Sequence, residues 1–70
     1  MKVTDVDGDD YYIDASKIIF FTELRALGRA CTRITFIEGE LMDIKATPEE
    51  FHKMLEATLT LERCKWRNHI

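Results

Sequence analysis

The sequence predicts an α+β domain: a small antiparallel β-meander of four to five strands with two hairpins, followed by one C-terminal helix. Three observations carry that reading. Residues 1–46 hold short runs rich in Val, Ile, Thr, Tyr and Phe, separated by turn residues at Asp7-Gly8, Asp14-Ala15-Ser16 and Glu38-Gly39-Glu40. Thr47-Pro48-Glu49-Glu50 is a capping box with proline at the first helical position, where a missing N–H costs nothing. Beyond it the apolar spacing changes from two to about 3.6 residues.

The first strand is expected at about residues 1–7. It ends at Asp7-Gly8, whose residues tolerate the positive φ of a tight hairpin turn. Tyr11 to Ile13 form the return strand, which breaks at Asp14-Ala15-Ser16, where Asp and Ser side chains hydrogen-bond the local backbone. Lys17 to Leu24 (KIIFFTEL) is β-branched and aromatic and too short for a typical helix, so it is a third strand. Arg25 to Cys31 (RALGRAC), with Gly28 at its middle, is expected as the longest loop. Thr32 to Ile37 and Leu41 to Ala46 form the last hairpin around Gly39. In the helix, Phe51, Met54, Leu55, Thr58 and Leu59 make one apolar stripe, and the helix is expected to reach about Cys64.

Seventy residues make one small domain, assigned to 1–64, with 65–70 a mobile basic tail. Ordering a chain of this length costs on the order of 100 kcal/mol, which a single small core offsets narrowly. A deep, many-walled catalytic pocket is therefore not expected. With 46% hydrophobic and 33% charged residues, the chain is neither disordered nor collagen-like. No apolar run approaches the ~18 residues of a membrane span, and MKVTDVDGDD has no signal-peptide core, which predicts a cytoplasmic protein without membrane contact.

No chemistry-bearing motif emerges. Asp5, Asp7, Asp9 and Asp10 surround Gly8, but the EF-hand spacing of glycine and the terminal glutamate is not met, so an acidic turn is expected and no metal site. Cys31 and Cys64 lack zinc-ligand spacing and read as reduced thiols. His52 and His69 belong to no nucleophile or acid–base constellation, and no glycine-rich loop opens a helix to hold a phosphate. The expectation is no catalysis and no cofactor.

The architecture leaves one sheet face uncovered, because one helix covers only one side. Strand alternation places Ile18, Phe20, Ile34, Phe36, Met42 and Ile44 on the covered face, with Tyr11 and Ile13 as companions. Tyr12, Ile19, Phe21, Ile37 and Leu41 fall on the other face, where a monomeric sheet is ordinarily polar. These five are the interface candidates for a homo-oligomer or a protein partner. Arg25, Arg29 and Arg33, in or beside one loop, form a candidate rim for that partner. The same arginines with the tail Arg63, Lys65, Trp66 and Arg67 support an alternative, nucleic-acid binding, which the acidic net charge of −3 opposes.

KVTDVDG at 2–8, YYIDASKI at 11–18, TRITFIEGE at 32–40 and ATPEEFHKML at 46–55 together resemble the short FlbD-type flagellar and swarming-motility proteins and similar small phage or prophage proteins. The resemblance covers nearly all of residues 1–55; RALGRAC and the extension after Leu59 depart from it. It implies a non-enzymatic accessory protein or regulator that acts through protein contacts, and it transfers no catalytic residue.

Overall fold

Among the described residues five strands precede one helix, and the strands divide into two antiparallel sheets where the sequence predicts one meander. The computed structural model describes residues 1–26 and 28–67, with side chains as far as residue 59. Strands β1 (Lys2–Thr4) and β2 (Asp10–Tyr12) form a two-stranded ribbon, with Val3 opposite Tyr11. Strands β3 (Ile18–Ala26), β4 (Arg29–Phe36) and β5 (Leu41–Ile44) form a three-stranded sheet in sequence order. The two sheets meet where β1 runs into β5: Asp5 bridges to Ile44, Lys45 N–H donates to the Thr4 carbonyl, and Val6 N–H to that of Asp43. Joined to the edge of β5, the ribbon brings Val3 into the same buried cluster as Ile44.

The first hairpin is wider than a two-residue turn. Asp5 places its carboxylate under the loop, where Oδ1 accepts from Asp7 N–H (3.0 Å) and Asp9 N–H (2.8 Å). Capturing both amides shapes the turn inside the last backbone bond, Asp5 N–H to the Asp9 carbonyl at 2.8 Å, and carries the chain through Gly8 at φ 94°. Asp14 closes the next break in the same way, accepting from Ser16 N–H at 3.0 Å and Ser16 Oγ at 2.7 Å to cap the 3-10 turn Ala15–Lys17.

The expected RALGRAC loop is absent as a loop. β3 continues to Ala26 and β4 starts at Arg29, leaving a two-residue connection with Gly28 at φ 73°. A glycine in the left-handed region lets a long ribbon reverse in two residues, so Arg25, Ala30 and Cys31 join the ladder.

Helix α1 (Pro48–Arg67) starts at the capping box, with Glu50 N–H donating to Thr47 Oγ1 at 3.2 Å and Phe51 N–H to the Thr47 carbonyl. It runs three residues past the expected end at residue 64, so part of the anticipated tail is helical. Residues 68–70 lie outside the described residues. Val3, Ile34, Ile44 and Phe51 form the buried core, and Phe51 is wholly enclosed. Phe21 meets the Phe51 ring edge to face, with centroids 4.9 Å apart at 85°. Thr32 is buried as well, its hydroxyl donating to the Ala46 carbonyl at 2.8 Å. That bond fixes the chain where it leaves β5 for the helix.

Candidate functional site

What β3 does at its start decides which side chains reach the surface. Ile18 pairs with Phe36, but Phe20 pairs with Thr35 and Phe21 with Ile34, so an extra residue is accommodated between Ile18 and Phe20. A bulge of this kind reverses the alternation beyond it. Ile18 and Phe21 therefore both pack on the core, while Phe20 faces out. This corrects the placement of two residues: Phe21, an expected outer-face residue, lies against Phe51, and Phe20, an expected core residue, is 52% exposed. Tyr11, expected among the core companions, is exposed too.

The outer face of the three-stranded sheet is then read from the register as three cross-strand rows. Phe20, Thr35 and Leu41 make the first, Thr22, Arg33 and Asp43 the second, and Leu24 with Cys31 the third. Leu41 is 60% exposed, and Ile19 and Ile37 are 57% and 64% exposed at the same end of the sheet. Ile37 is held there by its N–H, which donates to the Lys17 carbonyl at 2.8 Å. Tyr12 is the most exposed of the candidates but lies on β2, in the other sheet. Four of the five expected side chains are thus in water, and three of them sit together with Phe20.

The three arginines do not form one rim. Arg33 is committed to Asp43 by a two-pronged contact, Nε to Oδ1 at 2.8 Å and Nη2 to Oδ2 at 3.1 Å. The hydrogen bond from Arg33 holds the Asp43 carboxyl below the usual carboxylate range, and the same bond raises the Arg33 guanidinium. Strand alternation puts Arg29 on the face of Arg33 and Arg25 on the opposite face, beside Glu23 in sequence parity. Sequence reasoning missed the Arg33–Asp43 pair because its partners are ten positions apart and meet only through the β4–β5 register. The basic residues of the tail lie beyond the described side chains.

The sheet also has an open side. β3 is hydrogen-bonded to β4 alone, and among the described residues no backbone hydrogen bond from another element reaches Ile19 to Ala26. The unpaired edge from Ile19 to Ala26, without proline, is a strand template; Ile18 N–H is already taken by the Ala15 carbonyl.

Other features are local. His52 Nε2 sits 3.0 Å from Glu56 Oε1 on the exposed side of α1. Asp10 accepts from Thr4 Oγ1 at 2.7 Å and lies 3.5 Å from Lys2 Nζ, both of which hold its carboxyl low. Cys31 is buried as a free thiol beneath a cleft lined by Val6, Ala26, Arg29 and Lys45. Among the described residues no three His, Cys, Asp or Glu side chains converge as metal ligands, and no helix is long and apolar enough to cross a membrane. No family model, curated protein or solved structure matches the chain.

Proposed function

We propose that this protein is a small non-enzymatic interaction module of the cytoplasm, an accessory regulator that works through protein contacts and associates with itself through the three-stranded sheet. The observation that carries the reading is the open edge of β3 from Ile19 to Ala26. An edge of that kind presents a row of free N–H and C=O groups that can template pairing with another strand. The outer face adds to the argument. Ile19, Phe20, Ile37 and Leu41 each leave on the order of 100 Å² of apolar side chain in water, about 400 Å² together. That matches the largest apolar patch of a typical monomer, roughly 300–600 Å², which is often a functional surface.

The resemblance of the turn and strand segments to FlbD-type proteins points the same way, since it implies action through protein contacts without catalysis. Nucleic-acid binding is the weaker reading here. It needs several free cations on one side, and the register separates Arg25 from Arg29 and Arg33 while Asp43 neutralises Arg33.

Sedimentation equilibrium from low to high micromolar concentration tests the proposal. The weight-average mass should rise with concentration toward that of a dimer or higher oligomer. A constant monomer mass across the range overturns self-association. Fluorescence anisotropy with labelled DNA and RNA at two salt concentrations should show no binding, and a steep negative salt slope would favour the nucleic-acid reading.

A further inference from the structure

We propose that the occupant of the β3 edge is a second copy of the same strand, paired antiparallel about a two-fold axis at Leu24, so that Glu23 of each protomer faces the partner's Arg25. This rests on the self-association reading and specifies its surface and register.

Antiparallel geometry limits the choices. Residues directly opposite one another must both belong to the outward-facing set of backbone groups or both to the inward-facing set. A strand pairing with its own copy must therefore place the two-fold axis on a residue, never between two. Along β3 the charged residues are Glu23 and Arg25, both exposed and on one face. An axis on Glu23 sets two glutamates opposite each other, and an axis on Arg25 sets two arginines opposite each other. Like charges directly opposed are destabilising. An axis on Thr22 aligns all nine residues but faces Glu23 with Phe21 and Arg25 with Ile19. Only an axis on Leu24 pairs each glutamate with an arginine, and two-fold symmetry makes the pair twice.

The other side chains suit the same register. Leu24 meets its own copy on the outer face, and Thr22 lies opposite Ala26, which is small enough to let the backbones approach. The edges merge and the two three-stranded sheets become one of six strands. Both helices stay on one side of it, because a two-fold axis perpendicular to a sheet does not exchange its faces.

Four samples compared by sedimentation equilibrium test the register: the native protein, Glu23→Arg, Arg25→Glu, and the double variant Glu23→Arg/Arg25→Glu. Each cross-strand charge pair shifts an equilibrium by about two- to threefold. Each single variant loses two attractive pairs and gains two repulsive ones, so its dimer should dissociate about thirtyfold more readily. The double variant restores opposite charges in exchanged positions and should return to within about threefold of native. An equimolar mixture of the two single variants should also associate, because one chain then presents two arginines and the other two glutamates. Circular dichroism identifies which samples are folded, and loss of association in the single variants together with its recovery in their mixture decides the register even if the double variant folds poorly. Single variants that dimerise like the native protein overturn this register while leaving self-association standing. A mixture that stays monomeric overturns it too. A native protein that is monomeric throughout overturns both proposals.

Discussion

Replacing Phe21 and Phe20 separately by alanine distinguishes the bulged register from simple alternation. Phe21 is half-buried and stacks edge to face on Phe51, 4.9 Å away. Removing its ring forfeits about 2 kcal/mol of apolar burial and about 1 kcal/mol of aromatic pairing, so Phe21→Ala should cost about 3 kcal/mol. Phe20 is 52% exposed on the opposite face, and Phe20→Ala should cost under about 1 kcal/mol. A domain of this size is stable by roughly 4–10 kcal/mol, and each kcal/mol moves its melting temperature by about 4–8 °C. Phe21→Ala should therefore melt about 12–24 °C below native and Phe20→Ala within about 8 °C of it. Thermal and urea unfolding followed by circular dichroism at low micromolar concentration, where association contributes little, reads both values. Equal losses, or a larger loss for Phe20→Ala, would refute the bulge and with it the composition of the outer face.

Two further outcomes follow from single contacts. Thr47→Ala removes the acceptor of Glu50 N–H at the start of α1 and should cost about 1 kcal/mol, read as a lower urea midpoint with unchanged slope. The carboxyls of Asp10, Asp14 and Asp43 are held low by Thr4, Ser16 and Arg33 respectively. Groups depressed in the folded state add stability above the unfolded carboxylate pKa of about 4, and that contribution disappears as pH falls through their folded values. The urea midpoint should be flat from neutral pH to about 5 and decline below about 4. Asp43→Asn should lower the plateau and shrink the decline; a variant with an undiminished acid decline would show that Asp43 contributes nothing to it.

Local chemistry was the most legible part of the fold. Thr47-Pro48 marked the helix start because capping is settled by residues within one turn, and Glu38-Gly39-Glu40 marked the last reversal because Gly39 takes a φ of 90°. Gly28 is equally visible, but at the middle of RALGRAC it suggests a loop; the two β-forming runs on either side are the signal that it closes a hairpin. The bulge left no trace, since IIFF is apolar at every position and fits either alternation. Of the exposed apolar side chains, Ile19, Ile37 and Leu41 are identifiable in the sequence as out of phase with the core, whereas Phe20 and the placement of Glu23 and Arg25 on the β3 edge need the register.

The sequence by itself determined the class, one small α+β domain with strands before a helix, because turn residues, caps and spacing act over a few neighbours. Tertiary structure alone decided that the strands form two sheets, that Phe21 turns inward and Phe20 outward, and that Arg33 belongs to Asp43. Each of those outcomes depends on pairing between distant segments, where a shift of one residue exchanges the faces of a strand and no local preference opposes it.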